Sequence, residues 1–439
     1  MAMIKRLLSS CSHRDLSTTK PCWRLTSAHK KYGLFALVML CNVLVIFPTQ
    51  QATGIIDEQP QAMPDYAVKK IRVLLEEHEL PSDSRLLVQG KSSFILSCPA
   101  DAPEGVLFEA ESLNVLCSDN RLYLQCKDGK HRRLKHNSIE IASPHRKLTV
   151  SGKTYEGNII IRLDRSNKKI LVINNVPLED YIYSVVRCES LPSWPMEMQK
   201  LQAIISRTYA AYLMNKSRTH SSPYQYYDIR NTNLHQVYNG THTIAHIRQA
   251  VDETQDQILT YKGNIALTMF DICCGGSVPA HMRCKDSSKP YLMRTAQCTY
   301  CKDSAHYSWK IDLSHQQFLA KLRANTNLTD KFKKIKAIAD IKVVDADKAG
   351  IVHKIKITGS NGHTIKISGR DVRRSLPPQA KSLHFTIKRI KDRIVLHGRG
   401  DGHQKGVCQF GCKELLSRGW NIEKILGFYY PGAILSRLS

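Results

Sequence analysis

Apolar residues recur along this chain with two different periods, and the switch between them divides it. From residue 66 to about 174, short runs alternate apolar and polar positions: Arg85-Leu-Leu-Val-Gln, Ser93-Phe-Ile-Leu-Ser, Lys147-Leu-Thr-Val-Ser, Asn158-Ile-Ile-Ile-Arg and Lys169-Ile-Leu-Val-Ile. Gln89-Gly90, Ser151-Gly152, Glu156-Gly157 and residues 164–167 punctuate them as turns. A period of two with such turns predicts a small β domain. At residue 175 the period becomes helical. Pro177 suits a first helical turn, where its missing N–H costs nothing. Leu178, Ile182 and Val185 then share one stripe, and Glu189 continues it at the next turn. A second helix is predicted from Pro195 to about Asn215, with Glu197 favourable in its first turn and Met198, Leu201, Ile205, Tyr209 and Tyr212 as its apolar face.

Further on, a helix is expected over 243–254 and strands over 258–261 and 265–272. A helix over 314–324 precedes strands over 338–344, 351–358, 364–367 and 384–387. Residues 394–439 read as a glycine-rich turn leading into helices. The pattern as a whole predicts an α+β fold in which a helical core, the place for catalysis, carries two appended small β domains. The expected division is a basic leader over 1–54, an N-terminal β domain over 55–174, the first part of the α/β core over 175–311, a second β-rich domain over 312–390, and a segment over 391–439 that completes the core.

Charge changes this picture. The 439 residues carry a net charge of +26, although the apolar and charged fractions, 42% and 23%, are those of an ordinary folded chain. Such a field suits nucleic acid, an anionic wall polymer or a membrane surface, or it serves solubility alone. No Cys-pair and His-pair finger spacing, P-loop or aromatic RNA-binding signature is present, so a nucleic-acid partner is not expected. The basic residues Lys5, Arg6, Arg14, Lys20, Arg24, Lys30 and Lys31 face one acid, Asp15, ahead of an apolar run over 34–47 that only Asn42 interrupts and Pro48 ends. That run falls short of the roughly 20 residues a spanning helix needs. It fits a signal peptide or signal anchor, which predicts an exported, periplasmic or extracytoplasmic protein, held in the inner membrane by residues 34–47 if they are not cleaved. Export raises the question of disulfides for the 14 cysteines, of which Cys11, Cys22 and Cys41 lie in or before the targeting segment.

Four groups of residues could carry chemistry. Glu189, in Val185-Val-Arg-Cys-Glu-Ser-Leu-Pro, ends an apolar stripe. Partial burial would raise its pKa and suit it to general-acid work, unless the side chain escapes to solvent at the helix end. Lys200-Leu-Gln-Ala-Ile-Ile-Ser-Arg-Thr-Tyr offers Gln202, Arg207 and Tyr209 to a substrate, Arg207 through a two-pronged bond to a carboxylate. The alternative is an amphipathic helix with a solvated polar side. Gly398-Arg-Gly-Asp-Gly-His-Gln-Lys-Gly-Val-Cys-Gln-Phe-Gly is too irregular for a nucleotide fingerprint, and its glycines permit a tight loop that presents His403 to a cleft, with Gln409 on the helix that follows. Last, Cys273, Cys274, His281, Cys284, Cys298, Cys301 and His306 cluster in sequence, and Cys298-Thr-Tyr-Cys301 has zinc-knuckle spacing. Cys274, Cys298 and Cys301 are the candidate metal ligands; disulfides and free thiols are the competing readings.

Taken together these segments resemble the stage II sporulation protein D family, which includes the amidase enhancer (LytB) proteins. Val176-Pro-Leu-Glu-Asp-Tyr, residues 185–195 and residues 202–209 match its central signature; Gln236-Val-Tyr-Asn-Gly, Cys274-Gly-Gly, Pro290-Tyr-Leu and His306-Tyr-Ser-Trp309 follow in order, and the Gly-x-Gly-x-Gly-His turn with Gln409 and then Tyr429-Tyr-Pro-Gly close it. The match spans residues 69–435. The resemblance implies a lytic transglycosylase that cuts the bond between N-acetylmuramic acid and N-acetylglucosamine in peptidoglycan strands stripped of stem peptides, with Glu189 as its catalytic glutamate. It also implies an N-acetylmuramoyl-L-alanine amidase as functional partner. No cofactor is required for such a cut. The alternative it leaves open is a wall-binding protein without catalysis that recruits or enhances an amidase. In one respect the chain departs from the pattern. Relatives with zinc can carry Asp-Ile-Cys and then His-Cys-Gln, whereas here Asp228-Ile-Arg-Asn-Thr-Asn-Leu-His-Gln236 sets Arg230 and Leu234 where no ligand can be. A structural zinc would therefore have to use the cysteines near 274–301.

Overall fold

The structure is a computed structural model that describes residues 70–438 apart from 81–84, 92, 98–105, 126–130, 135, 165, 167, 220–225, 234 and 284–285. The expected leader over 1–54, with its apolar run at 34–47, lies outside these residues. Among the described residues no helix is long and apolar enough to cross a membrane.

The alternating runs before residue 177 form two sheets. One has seven strands in the order Ile229–Arg230, Lys70–Glu79, Lys169–Pro177, Asn158–Leu163, Ser138–Ala142, Ser93–Ser97, Val106–Glu109; the other has six, running from Lys153–Glu156 through Lys147–Val150, Leu86–Gln89, Ser112–Ser118 and Arg121–Gln125 to His131–Arg133. Alternation works as expected where one face is covered: Ile159, Ile161 and Leu163 point in, as do Leu148, Val150, Leu122 and Leu124. The strand Lys169–Pro177 differs, because Ile170, Leu171, Val172 and Ile173 are all buried. Its continuous apolar run is that of a strand covered on both faces.

Helix α1 (Leu178–Glu189) leaves directly from that strand, with Pro177 as its N-cap, and α2 (Met196–Thr219) and α3 (Ala245–Glu253) pack on it. The stripe foreseen on α1 is too narrow, since Tyr181, Val186 and Cys188 are buried as well. One apolar core joins sheet residues such as Val88, Leu113 and Ile161 to Ala203, Ala210, Met214, Ile247 and Val251 of the helices. The first β region is thus not an appendage with its own core; it shares one with the helices that follow.

A second core lies between two three-stranded sheets and the helices α4 (His315–Arg323) and α5 (Gly369–Ser375). One sheet holds Ser308–Ser314, Arg393–Arg399 and Phe385–Ile390, the other Ile338–Ala346, Val352–Gly359 and Thr364–Ser368. Ser314 starts α4 with a capping box, its Oγ accepting from Gln317 N–H at 3.2 Å while Gln317 Oε1 accepts from Ser314 N–H at 3.0 Å. Residues 393–399 are a strand, whereas the sequence from residue 394 onward reads as a glycine-rich turn leading into helices. Gly398 serves packing there, because a Cβ would stand 2.0 Å from the Trp309 ring.

The expected strand over 265–272 is also corrected. Asn264–Ile265 and Phe270–Asp271 are two-residue strands, and between them the chain bonds to a side chain and to a carbonyl in the middle of α2: Leu267 N–H donates to Tyr291 Oη at 2.8 Å and Thr268 Oγ1 to Ile205 O at 2.7 Å. Phe270–Asp271 instead pairs in parallel with Val407–Cys408, immediately before α6 (Gln409–Ser417). After α7 (Ile422–Tyr429), the strand Ile434–Arg437 returns to Gln257–Tyr261.

Candidate functional site

Helix α1 stops at Glu189 because Ser190 is extended (φ −126°, ψ 164°) and Pro192 and Pro195 follow. The turn is fastened to α2: Ser190 Oγ donates to Gln199 Oε1 at 2.5 Å, and Gln199 Nε2 to Leu191 O at 2.7 Å. Glu189 does not reach open water, with 1% of its surface exposed. Its Oε1 accepts from the Val237 N–H at 2.7 Å, and its backbone carbonyl from Gln409 Nε2 at 2.6 Å. The same Gln409 amide donates to Gln202 Oε1 at 3.1 Å, and Gln202 Nε2 to Ser206 Oγ at 3.1 Å. Gln409 Oε1 is buried with no hydrogen-bond partner among the described residues. Val237 is held in turn, because its neighbour Tyr238 donates N–H to Asn231 Oδ1 at 2.8 Å and Oη–H to Asn174 Oδ1 at 2.7 Å. Tyr181 Oη–H donates to Gln236 Oε1 at 3.1 Å. The phenols of Tyr181 and Tyr209 are both pushed well above their ordinary range, first by burial and then by the charge of Glu189. Glu189, Gln202, Tyr209 and Gln409 therefore stand near one another, drawn from three separate helices. Tyr181, Gln236 and the Val237 amide complete the group. Of these, Tyr181 and Gln236 stand in the motifs quoted above, but neither had a stated reason to be singled out.

Arg207 is not with them. It is fully buried and forked onto Glu179, with Nε to Oε1 at 2.8 Å and Nη2 to Oε2 at 2.6 Å. The remaining donors meet Gln257 O at 3.2 Å and Val251 O at 3.3 Å. The expected clamp for a substrate carboxylate is instead an internal tie among α1, α2, α3 and the strand Gln257–Tyr261. A helix packed on most of its faces has no solvated polar side, and Arg207 satisfies its fork inside.

His403 sits in the tight loop as expected, but its hydrogen bonds run to its own surroundings. Its N–H donates to Asp271 Oδ1 at 2.9 Å, and its Nδ1 accepts from Lys405 N–H at 3.1 Å. Burial, helped by the charge of Lys405, pushes the imidazole down to about 3, so it is neutral at ordinary pH and its proximity to Asp271 is not an ion pair. Burial also raises the Asp271 carboxyl, against the backbone amides of His403 and Gln404. The loop needs its glycines. At Gly402 (φ 130°) a Cβ would stand 2.3 Å from Asp271 Oδ1, and at Gly406 (φ 69°) 1.9 Å from Met269 O.

The thiols of Cys274, Cys298, Cys301 and Cys408 all lie within 4.8 Å of one another, fully buried. Three of these are the foreseen ligands. Cys408 is not; it is distant in sequence and arrives through the pairing of Asp271 with Cys408. The histidines of the sequence cluster are elsewhere: His281 is exposed, and His306 Nδ1 meets Asp401 Oδ2 at 2.8 Å. Cys284 lies outside the described residues. Arg230, the first departure from the family pattern noted in the sequence, pairs with Glu77 at 3.1 Å and donates its N–H to His235 Nδ1 at 2.9 Å.

A family model described as Stage II sporulation protein matches residues 166–261, a stretch that contains Glu189, Gln202, Gln236 and Val237. A second, described as Domain of unknown function (DUF8618), matches residues 233–406 and ends just before Cys408 and Gln409. The chain is 33% identical over 289 residues to an uncharacterized protein of Brachyspira hyodysenteriae, covering 65% of this chain and 73% of that one. It is 27% identical over 276 residues to Stage II sporulation protein D of Bacillus subtilis, covering 60% and 76%. With the Amidase enhancer of Bacillus subtilis it shares 27% identity over 346 residues, covering 68% of this chain and 47% of that relative, so it spans less than half of that protein.

Proposed function

Because this chain belongs to the stage II sporulation protein D and amidase enhancer family, we propose that it is a peptidoglycan lytic transglycosylase acting on glycan strands that have lost their stem peptides. The observation that carries the reading is the setting of Glu189: a carboxyl shut away from water at a helix end, one oxygen held by a backbone N–H and its own carbonyl fixed by Gln409. A group so held is fit to exchange a proton with a bound sugar rather than with solvent.

The step is balanced with one carboxyl. Glu189 gives its proton to the oxygen that links C1 of N-acetylmuramic acid to N-acetylglucosamine, and the C1–O bond breaks. The resulting carboxylate takes the proton of the muramic C6 hydroxyl, whose oxygen closes on C1. A 1,6-anhydromuramic end forms, Glu189 is again protonated, and no water is consumed. Hydrolytic glycosidases need a second carboxylate. The acids on the surrounding elements are engaged otherwise, Glu179 with Arg207, and Asp228 with Arg72 and Ser217. Gln202, Tyr209 and Gln409 are the proposed sugar-facing and positioning groups. No cofactor enters the reaction.

Stripped strands carry a lactyl carboxylate on every muramic acid, a polyanion matched to a chain of net charge +26. An N-acetylmuramoyl-L-alanine amidase supplies such strands and is the proposed functional partner. The leader over 1–54 is proposed to export the protein, as a cleaved signal or as an anchor through residues 34–47.

The near-complete burial of Glu189 also suits a second reading, a wall-binding protein that enhances an amidase without cutting. Incubating wild-type and Glu189→Gln proteins with peptide-free strands, and following both binding and release, separates the two. Catalysis predicts that the variant binds strands and releases nothing, while the wild type releases fragments. Binding without release by both proteins would establish the second reading.

A further inference from the structure

We infer that Cys274, Cys298, Cys301 and Cys408 hold one zinc ion in a closed tetrathiolate site that fixes the start of α6, and with it Gln409, against Glu189. Only the last link rests on the catalytic reading; metal binding does not.

The sulfur geometry is the first reason. In a tetrahedron with Zn–S bonds of about 2.3 Å, neighbouring sulfurs are about 3.8 Å apart. Cys274 Sγ and Cys301 Sγ are 3.7 Å apart, and all four sulfurs fall within 4.8 Å of one another. Three remote segments deliver them: the turn after Phe270–Asp271, the Cys298-Thr-Tyr-Cys301 loop, and the strand Val407–Cys408. Four ligands leave no open position, which marks a structural rather than a catalytic ion.

The surroundings are built for thiolate charge. Cys408 Sγ accepts from Cys274 N–H at 3.3 Å and from Gly411 N–H at 3.4 Å, while Tyr429 Oη lies 3.2 Å from Cys298 Sγ. These are the outer contacts that orient thiolate ligands. Gly411 lets the helix close on the sulfurs, since a Cβ there would stand 2.9 Å from Cys298 Sγ and 2.2 Å from Tyr429 Oη.

Arg294 is the independent observation. Its side chain is 2% exposed, and among the described residues it has no carboxylate partner. It donates only to the carbonyls of Ala296 and Ser277, leaves Nε unpaired, and lies over the rings of Phe428 and Tyr429. A lone buried guanidinium is costly unless a counter-charge is near. Zinc on four thiolates carries a net double negative charge, and Tyr429 stands between that charge and Arg294.

Cys408 immediately precedes Gln409, whose Nε2 donates to Glu189 O and Gln202 Oε1. Locking the sulfur therefore locks the amide.

The test uses the full chain, purified without metal affinity resin. Elemental analysis should find about one zinc per chain, falling below about a tenth in Cys298→Ser/Cys301→Ser and unchanged in Cys117→Ser. Cobalt put in place of zinc should give the thiolate charge-transfer and visible bands of a tetrahedral sulfur site. A folding failure in the double variant is bypassed on the wild type, where alkylation should spare the four cysteines as a set until zinc is stripped. Hydrogen exchange over residues 409–417 should then quicken. Two disulfides without metal, iron instead of zinc, or retention of zinc by the double variant would overturn the site. Unchanged exchange over 409–417 after stripping would overturn its hold on Gln409.

Discussion

Glu179 and Glu189 lie on the same helix, and their partners give them different work. Glu179 takes the fork of a buried arginine, while Glu189 takes a backbone amide and sits beside glutamines and tyrosines. Removing Arg207 leaves Glu179 and two carbonyls without their donor. Arg207→Ala is therefore expected to cost about 3–5 kcal/mol of stability, with Arg207→Lys recovering only part because it lacks the planar fork. Thermal melting checks this; lost strand binding at an unchanged melting temperature would return Arg207 to substrate binding. In the proposed cut Gln409 is a positioning group, since its Nε2 holds the Glu189 carbonyl. Gln409→Ala should slow cleavage by about 10- to 100-fold with strand affinity kept, the signature of a misplaced group. A loss carried wholly by affinity would make it a substrate contact. At this scale the sequence was readable where helical phase decided burial, as for the Glu189 side chain at the end of its stripe. It misled at Arg207, because polar residues on a helix do not reveal whether a solvated side exists.

Among the elements, the strands with one covered face and the first two helices were legible from period alone. Phe270–Asp271 and Val407–Cys408 were not, since a two-residue pairing follows from where distant segments are brought and carries no period of its own. The same pairing is what brings Cys408 to the other thiols, so the fourth cysteine of the cluster was hidden for the same reason. Residues 394–399 read as part of the glycine-rich turn because Gly398 has turn chemistry, whereas it is there to admit Trp309, a demand made by the partner strand. The glycine loop that follows is a rigid bracket around Asp271 and Met269. Gly406→Ala should destabilise the protein by more than about 2 kcal/mol, since it combines a left-handed backbone with a collision against a carbonyl. A melting temperature within error of wild type would contradict that account of the loop.

For the whole molecule, acid is the revealing condition. His235 is held down to about 4 and His403 to about 3, each mainly by burial, against an ordinary value of 6.5. Between those values and pH 6.5 the unfolded chain binds more protons than the folded one. The stability these imidazoles contribute is thus complete above pH 6.5 and is lost as pH falls towards 4 and then 3. Melting temperatures measured across that window should drop on acidification, and less steeply for His235→Asn, which keeps an acceptor for Arg230 N–H but cannot ionise. A rise on acidification would contradict the sign. The basic charge of the chain belongs to this scale too, and strand binding should weaken as salt is added. The proposed function turns on one carboxyl running a cut without water. Its most direct measurement is digestion of peptide-free strands in oxygen-18 water by wild-type and Glu189→Gln proteins, with mass analysis of the new ends. Wild-type protein should yield 1,6-anhydromuramic ends free of the heavy isotope, and the variant none; reducing ends that carry oxygen-18, or equal cleavage by the variant, would contradict it.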